Sequence, residues 1–201
     1  MPIHRPASLL ALAMVAGLTG QAALAEVPAT PATTTYAFGK ASQVAYHMVH
    51  QLHEFTGTTH SLRGKVALAG GKLVTPLKLQ IPLVSFDSGN TNRDTNALLV
   101  LEAGKYPTVA LTVSKFSETS RTQAGDAMEL AGDAAGTLVL HGVTRSLTIP
   151  LKARVAPDAL TVDATFEVSL TDYGIERPSL LFKPVEDAVR LTVHGVAAPA
   201  P

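Results

Sequence analysis

The sequence predicts an all-β fold, a tall antiparallel barrel or half-barrel with one short helix covering an end. Three observations lead there. Apolar and polar residues alternate with a period of two through most of the chain, turn signals separate the runs at short intervals, and one run exceeds a typical strand. That run sets Leu160, Val162, Ala164, Phe166, Val168 and Leu170 against Thr161, Asp163, Thr165, Glu167 and Ser169. At about 3.3 Å per residue, the stretch from Ala159 to Leu170 extends on the order of 35 to 40 Å. Strands with one apolar and one wet face belong to antiparallel sheets. Around eight of them enclose room for one small ligand unless side chains fill it. The inward set here is mostly Leu, Val, Ile and Ala, with no Trp in the chain. A sandwich whose inner faces interdigitate satisfies the same periodicity, and alternation alone does not choose between the two.

The chain opens with MPIHRPASLLALAMVAGLTGQAALA, a weakly basic start followed by an apolar, small-residue run that ends in Ala23-Leu24-Ala25. This order predicts a secretory signal peptide over 1–25. The run is too short and too rich in Ala and Gly for a membrane anchor. EVPATPATTT predicts a flexible linker over 26–35, and the Pro- and Ala-rich end predicts a disordered tail over 197–201, which leaves 36–196 as one folded domain.

Within that domain, Val44, Tyr46, Met48 and His50 share one strand face. Leu62, Gly64, Val66 and Leu68 alternate with Arg63, Lys65 and Ala67, and the turn Ala69-Gly70-Gly71-Lys72 follows. Leu77, Leu79, Ile81 and Leu83 make the next apolar face. In SFDSGNTNRDTNALLVLEAGKYP, Asn90 or Asn92 caps a helix on which Ala97, Leu98 and Leu101 share a side, and Gly104 and Pro107 end it. Val109, Leu111 and Val113 resume the strands, His141-Gly142 marks a turn, and Leu147, Ile149, Leu151 and Val155 form another face. Pro157-Asp158 precedes the long run, and Val189, Leu191 and Val193 close the series. Pro82 and Pro150 fall on the polar parity, which implies edge positions or bulges.

Charge and composition exclude several function classes. Lys+Arg and Asp+Glu both number 16, so nothing points to nucleic acid or an anionic membrane surface as partner. Cysteine is absent, which removes disulfides, thiol nucleophiles and thiolate metal sites. No serine sits in G-x-S-x-G, and no phosphate-cradling glycine loop is present.

The stretch YHMVHQLHEFTGTTH gathers His47, His50, His53 and His60 with Glu54. On a strand, His50 points inward with Tyr46 and Met48 while His47 points outward. Extending that strand puts His53 on the side of His47, about 20 Å away. Such spacing does not converge on one metal ion, although a loop after Leu52 could bring His53 and His60 together. His50 serves either as a core histidine paired within the protein or as a contact for a ligand's polar head.

The ordered pieces SQVAYHMVH, Gly57, SFDSGNTNRD with its helix, KYP before a strand, GTLVLHGVTRSLTIPL and TDYGI are similar to the YceI-like family of exported bacterial polyisoprenoid-binding proteins. The resemblance runs from about Ser42 to Val193. It implies an antiparallel, lipocalin-like β-barrel that holds a long isoprenoid chain in an apolar tunnel, with no catalytic residues, no metal and no cofactor. Many relatives carry an arginine just before the segment matching TDYGI; this chain has Leu170 there and places Arg177 after the motif. The expected ligand contacts are Tyr46, Met48, His50, Leu79, Ile81, Val109, Leu111, Val162 and Phe166, with Arg177 or Arg93 meeting a polar head at the mouth. The expected partner is an isoprenoid or lipid-like small molecule, without nucleic acid and without stable membrane insertion after signal cleavage; a homodimer is left open. The expected compartment is the periplasm or the medium. Two other readings compete: an exported metal-dependent enzyme using the histidines near 50–60, and an assembly factor with a filled core.

Overall fold

A computed structural model describes residues 32–50, 53–180 and 183–200. The signal-peptide stretch, most of the expected linker, and Gln51 and Leu52 lie outside the described residues. The elements in chain order are β1 (Thr33–Phe38), β2 (Gln43–His50), β3 (His53–Thr59), β4 (Arg63–Ala69), β5 (Lys72–Leu73) and β6 (Leu77–Pro82). The single described α-helix, α1 (Thr91–Val100), precedes β7 (Thr108–Ala124), β8 (Ala127–Leu140), β9 (Val143–Val155) and β10 (Leu160–Ser169). A 3-10 turn at Thr171–Tyr173, the short hairpin β11 (Ser179–Leu180) with β12 (Lys183–Pro184), and β13 (Ala188–Pro199) complete the chain.

These strands close an eight-stranded antiparallel barrel in the order β1, β4, β6, β7, β8, β9, β10, β13 and back to β1. β1 and β2 act as one bent strand and β3 and β4 as its bent partner. β1 pairs with β4 and β2 with β3, while β13 pairs with β2 through Arg190–His194 and with β1 through its last residues. Closure joins the sheet edges at β1 and β13, and leaves part of β3 and the stretch of β7 beyond Val113 on its β6 side without a ladder.

The closing seam corrects both terminal boundaries. β1 begins at Thr33, inside the expected linker, and β13 runs to Pro199, beyond the expected end of the domain. The pairs Tyr36↔Pro199, Ala37↔Ala198 and Phe38↔Ala197 satisfy backbone groups that composition alone marks as unstructured, and Ala197 is 0% exposed. Small side chains suit the crowded seam, so the Ala content at the end of β13 reflects packing.

The turns follow the expected chemistry. Gly70 and Gly71 adopt positive φ (56° and 74°) between β4 and β5, and His141 and Gly142 do so between β8 and β9 (52° and 73°), the conformation that two-residue hairpins require. The side chain of Asn90 caps α1 by accepting from the Arg93 amide at 3.1 Å. Pro82 ends β6, and the β9–β10 ladder stops at Leu151↔Ala164, one residue short of Pro150. Pro82 thus stands at a strand end, and Pro150, still opposite Asp133 of β8, lies just beyond the β9–β10 ladder.

The β7–β8 ribbon is longer than the sequence indicates. β7 runs past Val113, where its pairing with β6 ends, to a turn at Gly125 and Asp126. Two bulges, at Ser114 and Thr119, break its period. Each lies against a glycine of β8: a Cβ at Gly136 would collide with Thr112 and Val113 backbone, and one at Gly132 with the Ser117 carbonyl. The glycines give the extra residues room.

Candidate functional site: a hollow barrel

Inward-facing side chains settle the choice between a filled and a hollow interior. Val109, Leu111, Leu79, Ile81, Val162 and Phe166 all face inward, yet each remains only half-buried. A residue on the inner face of a packed sandwich loses nearly all its exposure to the opposing sheet; these face a cavity of about 1210 Å³ instead. That volume exceeds the roughly 300–1,000 Å³ of ordinary small-molecule sites. Two packed clusters stand around it. One is centred on Tyr36, Val66, Leu68, Leu77, Val113 and Leu160, and the other on Leu138, Leu140, Leu170, Tyr173, Ile175 and Val185.

Nine of the ten expected contacts, Tyr46, Met48, His50, Leu79, Ile81, Val109, Leu111, Val162 and Phe166, line this cavity. The tenth does not. Arg177 donates from Nε to the Val185 carbonyl at 2.8 Å and from Nη2 to the same oxygen, which ties the loop after the 3-10 turn to the segment before β13. Its neighbours Ile175, Pro178 and Val185 line the cavity in its place.

The histidines separate. His47 turns outward, with Nε2 3.2 Å from Glu54 and Nδ1 3.1 Å from the Thr56 hydroxyl. His60 donates from Nδ1 to the Ser42 carbonyl at 2.7 Å and so pins the bend between β3 and β4. His53, expected on the side of His47, instead faces the cavity next to His50, with ring centroids 5.4 Å apart. β2 and β3 are antiparallel with His50 and His53 as cross-strand partners, so the single straight strand assumed from spacing does not exist. Among the described residues no group of three His, Cys, Asp or Glu side chains is placed to hold a metal ion.

One end of the cavity is closed by α1, which contributes Ala97, Leu98, Val100 and Leu101. Arg93 stands there with its guanidinium 4.8 Å from the centre of the Phe55 ring, donating from Nη1 to the Ser88 carbonyl and hydroxyl at 3.2 Å each. The Asp94 carboxylate accepts from the Ser88 amide (3.2 Å). Burial pushes the Tyr46 hydroxyl above its ordinary pKa, and the Asp94 charge adds to this while Arg93 opposes it. This end therefore carries neutral polar groups and a balanced charge pair.

The other end holds residues that sequence reasoning missed. Gly70, Gly71, Lys72, Lys115, Glu118 and Arg121 line the cavity where β7 projects beyond β6. Glu118 and Arg121 are joined by an ion pair (2.6 Å). Regular strand spacing sends residues three apart to opposite faces, so the pair is invisible without knowledge of the bulge at Thr119.

A family profile described as the YceI-like domain matches residues 30–197. Three solved structures share the fold. BcnA of Burkholderia cenocepacia is 17% identical, with a TM-score of 0.64 over 79% of this chain and 97% of that one. A polyisoprenoid binding domain from Saccharophagus degradans, implicated in plant cell wall breakdown, is 17% identical, with a TM-score of 0.67 over 82% of this chain and 98% of that one. A YceI protein of Campylobacter jejuni is 14% identical, with a TM-score of 0.57 over 76% and 89%. A search of curated proteins gave no match to this chain.

Proposed function

Because this chain belongs to the YceI-like domain family, we propose that it is an exported, non-catalytic binding protein that shields a long apolar molecule, polyisoprenoid or otherwise lipid-like, inside its barrel. The observation that carries this reading is the large cavity, whose lining is aliphatic and aromatic along its length. Each methylene moved from water into such a lining favours binding by about 0.8 kcal/mol, so a smooth apolar tunnel suffices without special chemistry. The polyisoprenoid binding domain of Saccharophagus degradans, which shares the fold, supports this class of guest. The basic start, apolar run and Ala-x-Ala end of residues 1–25 support delivery to the periplasm or the medium. The metal-dependent enzyme reading, which would use His50 or His53, has less support: the two rings meet at the cavity wall, but among the described residues no third His, Asp or Glu joins them in a group that could hold a metal ion.

Native mass spectrometry of the purified protein, followed by solvent extraction, tests the proposal. A co-purified amphiphile, or uptake of added isoprenoid, is the expected result; neither one appearing would sink it. Leu111, half-buried at the cavity wall, supplies the mutational counterpart. Leu111→Asp puts a charge among apolar neighbours and should lower affinity at least tenfold in a protein that still folds, as followed by fluorescence titration with a polyene probe.

A further inference from the structure

Ladders close most of the barrel wall, and a guest passing through them would have to break paired backbone hydrogen bonds. Where a ladder is missing, other structure fills in. The free edge of β3 is tied by two backbone bonds between Thr58 and Asp87 (2.8 and 2.9 Å) and is faced by α1 through Arg93 on the Phe55 ring. β10 parts from β9 after Ala164↔Leu151, but the 3-10 turn packs there, with Tyr173 and Ile175 buried and Arg145 donating from Nε to the Asp172 carbonyl at 2.8 Å.

The gap between β5 and β7 is held differently. β6 leaves β7 at Leu77↔Val113, while β7 continues to Ala124 with a ladder on its β8 side alone. Across the gap stands the β4–β5 turn, and among the described residues a single hydrogen bond joins the two, from Arg121 Nη2 to the Gly71 carbonyl at 3.2 Å. Arg121 itself belongs to the β7–β8 ribbon, held there by Glu118 (2.6 Å) and by a contact from Nη1 to the Met128 sulfur. The bulge at Thr119 makes this possible by bringing Glu118 and Arg121 to one face. At this rim a side chain does what backbone pairing does elsewhere. Exposed polar contacts add little to stability, so the stretch opens at a smaller cost than a ladder. Behind it, half-buried Leu73 and Phe116 line the cavity and give the gap an apolar threshold.

We propose that the gap between the β4–β5 turn and β7 is the doorway through which the guest enters and leaves the cavity, with Arg121 as its latch. The inference rests on the binding function proposed above and adds to it a route. Arg121 lets go of the Gly71 carbonyl while keeping its place on the ribbon, the turn moves away from β7, and an apolar chain slides in past Leu73 and Phe116.

Stopped-flow fluorescence of retinol, an apolar polyene alcohol, measures uptake and release by the purified protein, and two variants act in opposite directions. Arg121→Gln removes the fork and should speed both rates about fivefold, with Kd and melting temperature unchanged. Lys72→Cys/Arg121→Cys places thiols at exposed positions on either side of the gap, in a chain with no cysteine of its own. A short bismaleimide strap between them should slow both rates about tenfold or more, against the same variant with each thiol capped singly. Strapped and unstrapped protein exchanging retinol equally fast would overturn the doorway and move the entrance elsewhere in the wall. Unchanged or slower exchange in Arg121→Gln would overturn the latch, and so would faster release matched by lost affinity, which would make Arg121 a guest contact instead. No retinol bound by the unaltered protein would defeat the binding function, and the doorway with it.

Discussion

Tyr46 and Gly57 face one another across β2 and β3, and the Tyr46 ring occupies the space where a Gly57 side chain would stand. The ring then reaches Phe86, 5.5 Å away between centroids, and joins the cavity wall. Gly57→Ala must displace it, and such overpacking costs about 1–3 kcal/mol. A urea midpoint unchanged from the parent would contradict this. Asp187 works differently: it accepts from the hydroxyl of Ser169, the amide of Thr171 (3.0 Å) and the hydroxyl of Thr171 (2.9 Å), and so fastens the 3-10 turn. The Ser169 hydrogen bond, then the Thr171 amide, lowers its pKa below the ordinary 3.8. A carboxylate stabilised in this way contributes its full effect above the unfolded pKa and loses it as pH falls through the lower folded value. The melting-temperature difference between the parent protein and Asp187→Asn should therefore be constant from pH 7 to about pH 5 and shrink below pH 3.8. A difference that persists unchanged at pH 2 would assign the effect to geometry rather than charge.

At the level of elements, α1 shows what local chemistry achieves alone. Its Asn90 cap, its length and the shared side of Ala97, Leu98 and Leu101 follow from spacing and capping preference. Asn90→Ala should destabilise the fold by about 1 kcal/mol in chemical denaturation, and a loss near zero would mean that α1 is held by packing instead. β10 and β13 were equally legible, because one apolar and one polar face persist along both. β8 was not. Its inner face passes through Gly132, Ala134 and Gly136, so the apolar signal thins where the ribbon needs room for the β7 bulges. The rim escaped notice for the same reason, since bulges change the period that sequence reasoning counts. The antiparallel pairing of His50 with His53 was equally hidden, because no Gly or Pro in YHMVHQLHEF separates two strands there. KYP and LHGVT are physical neighbours: the Tyr106 ring packs edge-on against His141 at 5.4 Å and covers Gly142, where a Cβ would strike it. Landmarks distant in the chain are thus one contact in the fold.

For the molecule as a whole, the hollow interior shifts the source of stability to the wall and its closure. The inner residues pack against fewer neighbours than a filled core provides, so seams matter more. Truncation after Val196 removes the three β1–β13 pairs and the fully buried Ala197, and should cost about 2–4 kcal/mol at the usual net worth of a backbone hydrogen bond. Equal stability of the truncated and full chains would return those residues to the status of a tail. The same seam governs time as well as energy. Its partners, Phe38 and Ala197, stand at opposite ends of the folded chain, so the contact that completes the wall is among the longest-range the topology contains. Closing so long a loop comes late and slowly in folding. Until it happens the interior is an open trough with wet apolar walls; the compartment that can hold a guest comes into being only with the last strand.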